Sequence, residues 1–368
     1  MVKIQERVSA VDGFRCIAIL SVIAYHYFYR FSPPLANRNY YPYHYAPFGF
    51  EYGFYGVQLF FVISGFVIFQ TLEKTSGLGN FILKRLIRLL PTLLLCAIIT
   101  FAVVEYAGDH PDFPFFRPGS LLDFLPSLTF IPPAFWNSLL HRQDIAYVDG
   151  VYWSLFAEII FYIVGGIIFF LKPKAFLSNW LRITLLVIAV RIVTSPRNQH
   201  LFPDAVNSVF DTIYNLYFSL NLNYWVYFAL GVFFYSLYAK RQPSPLILLM
   251  VFSLVAFELY FLGDAVLRML FLGIIALFSI LIYKERWLNF LKWRIIIQIG
   301  IVSYPLYLLH QNIGLILIRK TAAITDDRLH NYLPLMITAL LVGASEIIYH
   351  FYEKPILSFL RMRLTKAH

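Results

Sequence analysis

Arg15 and His26 lie eleven residues apart inside one apolar run. Eleven helical steps of 100° bring them to within about 20° of each other, so both share one face, and the rise separates them by about 16 Å. Asp12, three residues before Arg15, can pair with its guanidinium. A guanidinium fork suits phosphate and an imidazole suits general-base catalysis. The structural alternatives are an Arg15 that snorkels and a His26 that is a hydrogen-bonded core residue. Ionisable groups inside an apolar span are costly and mark function, and for the pair the shared face favours a functional reading.

Three further clusters carry candidate chemistry. Glu158 closes the run Tyr152-Trp153-Ser154-Leu155-Phe156-Ala157-Glu158, and a carboxylate that far into a span needs a partner. Its bland role is a structural bond to Arg or Trp. Ser303, Tyr307 and His310 are spaced by four and three, which puts them on one helix face, with Tyr304 beside them and Pro305 expected to kink or break the helix and open a cavity. Arg85 and Arg88, three apart, could face one way and grip phosphate, or be a plain positive flank. Counting along the spans places His26, His310 and Glu158 at a similar depth in the outer half of a bilayer, whereas His350 falls near the other side. No spacing suggests a metal site or a nucleophilic serine.

The elements that must position these groups are membrane helices. The 368-residue chain is 60% hydrophobic and only 14% charged, with mean hydropathy +0.68. A soluble domain of this size needs more polar surface. Ten spans of bilayer-crossing length are expected, near 11–31, 54–72, 89–107, 152–171, 178–194, 222–239, 246–263, 265–283, 295–318 and 333–353. The net charge of +10 does not point to nucleic acid, because Lys and Arg lie between the apolar runs. With an inside N-terminus, 18 of them fall in inner segments and 8 in outer ones, which sets both termini in the cytoplasm. Cys16 and Cys96 lie in apolar runs and imply no disulfide framework. The N-terminal run carries Asp12 and Arg15 and lacks a cleavage site, so it is not a signal peptide. One domain is expected over 1–368, with an outer insertion at 108–150 rich in Pro and Phe and a basic cytoplasmic tail at 354–368. Segment 31–55 holds Tyr40, Tyr41, Tyr43, Tyr45, Phe48, Phe50, Tyr52 and Tyr55, an interfacial belt with the density of a sugar-stacking platform.

These stretches resemble the membrane-bound acyltransferase family 3, which includes O-antigen and exopolysaccharide O-acetyltransferases. The resemblance rests on Val11-Asp12-Gly13-Phe14-Arg15 with His26, on Gly56 to Phe66, and on Phe81 to Arg88. It continues in Tyr152-Trp153-Ser154-Leu155 with Glu158, in Ser303-Tyr304 to His310, and in Tyr352-Glu353-Lys354-Pro355. Cys16 and Gln58 depart from the usual pattern without touching the chemistry. The resemblance implies a ten-helix bundle in the bacterial inner membrane, an acyl-CoA donor (acetyl-CoA first) and a carbohydrate acceptor, either a surface polysaccharide or a lipid-linked glycan. It makes Arg15 and His26 the paired motif and Arg85 and Arg88 the arginines near the donor. The chain is expected to be the stand-alone form, without a fused second acyl-transfer domain.

Acyl transfer from a thioester to a hydroxyl needs a base, an oxyanion stabiliser and a donor path. His26 is expected as the base and Glu158 as its orienting group. His310 and Tyr307 would serve the oxyanion or the sugar, and Asp12, Trp153, Ser154 and Tyr304 would line the substrate sites. Arg15, Arg85 and Arg88 would hold the CoA phosphates. No permanent cofactor or metal is expected, and direct transfer is simpler than an acyl-enzyme, with an acyl-histidine left open. A transporter or flippase of a lipid-linked sugar is the alternative, weakened by the absence of an inverted repeat. An intramembrane hydrolase would need a paired Asp, a Ser–His pair or a metal motif, none of which has suitable spacing.

Overall fold

Apolar runs without intervening water can satisfy their backbone only by coiling, and the described apolar runs do so. The computed structural model describes residues 8–31, 49–107 and 119–366, and among them it contains helices and no strand. Seven helices are long and apolar enough to cross a membrane: Ser9–Arg30, Phe50–Glu73, Leu78–Ala107, Gly150–Leu171, Pro173–Thr194, Ala265–Tyr283 and Leu333–Arg363. The protein is an all-α polytopic membrane protein.

The other three expected spans take different forms. The sixth is the 14-residue helix Trp225–Tyr238 and the seventh is the 17-residue helix Pro245–Phe261. The ninth is three successive helices, Arg294–Ile301, Ser303–Leu309 and Asn312–Ala322. Pro305 accounts for the first break and not the second: it has no N–H to give the Ile301 carbonyl, and the helix ends at Ile301 and restarts at Ser303, whereas the break at His310–Gln311 lies beyond its reach.

Helix starts follow local chemistry. The Ser244 hydroxyl accepts from the Ile247 N–H and Pro245 follows it at the first helical position. Asp264 accepts from the N–H groups of Val266 and Leu267 at the head of Ala265–Tyr283. Segment 119–149 holds the short helices Phe124–Thr129 and Pro133–Leu139. Most of the aromatic segment at 31–55, from 32 to 48, lies outside the described residues.

The chain divides into two compact units. The first comprises residues 1–57, 83–156 and 289–368. In it, Ser9–Tyr25 packs along Arg294–Ile301 and Ser303–Leu309. Gly300 permits that contact: a Cβ there would overlap the Asp12 carbonyl oxygen. The second unit comprises residues 58–82 and 157–288. Its interior is aromatic, with Phe161, Trp180, Trp225 and Phe228 in successive ring contacts and the Trp225 indole N–H donating to Thr184 Oγ1 at 2.9 Å. Long apolar side chains remain uncovered on its helices, among them Leu249 at 60% and Phe252 at 70% exposure, as lipid-facing surfaces require.

Candidate functional site

The break at His310–Gln311 leaves orphan backbone groups, and side chains of the first unit satisfy them. Ser303–Leu309 ends with three carbonyls turned to side-chain donors. The Tyr307 carbonyl faces His310 Nδ1 at 2.7 Å, the Leu308 carbonyl accepts from the Tyr152 hydroxyl at 3.3 Å, and the His310 carbonyl accepts from the Tyr27 hydroxyl at 2.7 Å. On the other side of the break, the Asn312 N–H donates to Asp149 Oδ2 at 3.0 Å. Asp149 Oδ1 accepts from the Val151 N–H at 3.1 Å. One fully buried carboxylate thus caps two helix starts. Burial pushes its pKa up to about 7 against the bonds from Asn312 and Val151.

This frame sets the two histidines against each other. His26 opens a five-residue π-helical turn, His26–Arg30, a geometry often found at functional sites. Its Nδ1 lies 2.9 Å from the Val22 carbonyl and 3.2 Å from His310 Nε2. The rings meet edge to face with centroids 4.9 Å apart. A carbonyl oxygen only accepts, so the partners assign the proton to Nδ1 in both rings. His310 Nε2 then presents a lone pair to the His26 Nδ1–H. Nε2 of the half-buried His26 carries the remaining lone pair and makes no hydrogen bond among the described residues. His310 is fully buried, with no face left for a substrate.

The other expected residues fall as follows. Asp12, 1% exposed, pairs with Arg15 at 2.7 Å, as the three-residue spacing requires. Arg15 and Arg88 line one cavity of about 380 Å³. Arg85 is buried and is not among the lining residues. The Tyr307 hydroxyl lies 3.0 Å from the Val151 carbonyl and 2.9 Å from Ser154 Oγ, which ties both side chains to the turn after Asp149. The Tyr304 hydroxyl donates to the Leu89 carbonyl at 3.0 Å. Trp153 is half-buried at the head of Trp153–Leu171. Glu158 belongs to the second unit, where its Oε1 accepts from the Ser64 hydroxyl and, at 2.5 Å, from the Tyr162 hydroxyl. Among the described residues there is no group of three or more metal-ligating side chains.

A profile of the acyltransferase domain of family 3 matches residues 8–348. The chain belongs to acyltransferase family 3. It is also similar to the protein named "Putative peptidoglycan O-acetyltransferase YrhL" of Bacillus subtilis (strain 168), at 27% identity over 95% of this chain. The chain spans 55% of that relative's length. No solved structure matches it.

Within this acyltransferase-3 chain, the matched stretch contains His26, His310, Glu158, Arg15 and Arg88. Sequence reasoning missed Asp149 and Tyr27. Asp149 had a signal, since Asp-Gly before an apolar run reads as a helix cap. Tyr27 had none, because its role depends on a carbonyl 283 residues away. Lys354 and Arg361 of the helix Lys354–Lys366 also line the Arg15 cavity, although the sequence marks them only as positive flank.

Proposed function

We propose that the protein transfers an acyl group, acetyl by preference, from acyl-CoA to a hydroxyl of a cell-envelope or exported carbohydrate at a bacterial inner membrane. The observation that carries this reading is the His26–His310 contact, with His26 Nε2 making no hydrogen bond among the described residues, on a helix whose same face carries Arg15. His26 Nε2 takes the proton of the acceptor hydroxyl as its oxygen attacks the thioester carbonyl. The imidazolium so formed donates from Nδ1 to the neutral His310 Nε2, which shares the new positive charge. When the tetrahedral adduct collapses, the C–S bond breaks and His26 returns the proton to the departing thiolate. His310 is a positioning residue in this scheme, locked by the Tyr307 carbonyl. The axial distance of about 16 Å between Arg15 and His26 suits a donor whose phosphates lie at one end and whose thioester lies at the other.

The test is transfer of label from acetyl-CoA to envelope glycan by membranes holding wild type or His26→Ala at equal protein level. Label with wild type alone is the expected result. Label with both removes His26 from the chemistry. Label with neither returns the alternative, a transporter of a lipid-linked sugar.

A further inference from the structure

The cavity at Arg15 has a wall that the donor reading did not anticipate. Arg15 from the first helix and Arg88 from Leu78–Ala107 are joined there by Lys354 and Arg361, with the hydroxyl-bearing Ser303 and Ser358 also in the lining. Four cationic side chains line it with one carboxylate, Glu353, and Asp12 pairs with Arg15 behind the wall, which leaves an excess of two positive charges. A concave site with that excess is matched by a polyanion. Lys354 and Arg361 are seven residues apart, which returns a helix to within about 20° of the same face, and Ser358 falls between them on that face. Gly300 lines the same cavity and lets the Asp12–Arg15 turn come close. The whole wall belongs to one compact unit, and Lys354 and Arg361 lie beyond the stretch matched by the family profile.

We propose that Lys354 and Arg361 form a second phosphate subsite, for the ribose 3′-phosphate of the donor. The inference rests on the reading of the donor as acyl-CoA. Acyl-CoA carries a pyrophosphate at the root of its pantetheine arm and a separate phosphate on the ribose. The arm must run along the face that joins Arg15 to His26, so the pyrophosphate at its root belongs to Arg15 and Arg88. The 3′-phosphate lies across the nucleoside from the arm, which leaves it to the cations of the C-terminal helix. The phosphate of an acidic lipid headgroup shares this chemistry, and the test separates the two.

The full chain is reconstituted in phosphatidylcholine nanodiscs, and binding of CoA and of 3′-dephospho-CoA is measured for wild type, Lys354→Gln, Arg361→Gln and Arg88→Gln. Wild type is expected to prefer CoA by about tenfold, the worth of one lost charge-assisted contact. Lys354→Gln and Arg361→Gln erase that preference by weakening CoA alone. Arg88→Gln weakens both ligands alike. In transfer assays the two C-terminal variants raise the KM for acetyl-CoA and leave kcat unchanged. Equal weakening of both ligands by Lys354→Gln and Arg361→Gln moves these cations to the pyrophosphate and overturns the subsite. Unchanged CoA binding by the two variants, with loss of phosphatidylglycerol binding in parallel nanodiscs that contain that lipid, makes the cavity a lipid-headgroup site and also overturns it. Wild type that binds no CoA yet transfers acyl groups from another donor defeats the donor reading itself.

Discussion

At the scale of single residues, the proposed mechanism separates a base, His26, from the group that tunes it, His310. Among the described residues His26 keeps one ring nitrogen without a hydrogen bond, while His310 is held from both sides, by the Tyr307 carbonyl on its own ring and by the Tyr27 hydroxyl on its backbone. His310→Gln is expected to lower kcat by about a hundredfold with little change in KM, and to shift the acidic limb of the pH–rate profile. An unchanged limb would leave His310 as a packing residue only. Asp149 makes a separate prediction. Its folded pKa of about 7 lies above the ordinary 3.8, so between those values the folded protein holds a proton that the unfolded chain has lost. This group's contribution to stability therefore falls as pH rises through that window and is constant above it. Asp149→Asn should flatten that part of the melting profile in detergent. It should also cost about 1–2 kcal/mol, because an amide can accept only one of the two N–H bonds made now. A wild-type profile that rises between pH 4 and 7 in step with the variant's would contradict the assignment.

At the scale of elements, the ninth span is informative because it is broken. A continuous helix would spend its carbonyls on its own N–H groups. The interruption at His310–Gln311 frees them for Tyr27, Tyr152 and the His310 ring, and those bonds aim the imidazole. Gly314 belongs to this device: a Cβ there would overlap the Tyr27 hydroxyl. Gly314→Ala should displace Tyr27 and reduce transfer while the protein still inserts and folds, which parallel activity and melting measurements would show. Gly300→Ala meets backbone rather than a side-chain tip, so it should destabilise more, by about 1–3 kcal/mol, and lower CoA affinity along with it. A Gly300→Ala protein with wild-type melting and binding would mean that the first helix can move aside.

At the scale of the whole molecule, orientation is the open quantity with a direct readout. The excess of Lys and Arg in alternate segments predicts that both termini lie inside. Cys16 and Cys96 are buried at 4% and 0% exposure and should give little background. A membrane-impermeant maleimide added to intact cells should therefore label Arg142→Cys, and label Lys366→Cys only after permeabilisation. Labelling of both in intact cells would reverse the assignment of sides.

What the sequence alone determined was composition-limited and local. Apolar runs of bilayer length dictate helices because no other backbone form is satisfied in lipid, and the pairing of Asp12 with Arg15 follows from a three-residue step on one helix. Depth counting brought His26 and His310 to one level, and the fold puts them 3.2 Å apart. Only the tertiary structure decided that Glu158 spends its Oε1 on Ser64 and Tyr162, that Asp149 caps two helices, and that the C-terminal helix turns Lys354 and Arg361 toward Arg15. Each of those choices turns on a contact between residues far apart in the chain: Glu158 with Ser64, Asp149 with Asn312, and the C-terminal cations with Arg15. Helical periodicity states which way a side chain faces, and packing alone states what it meets there.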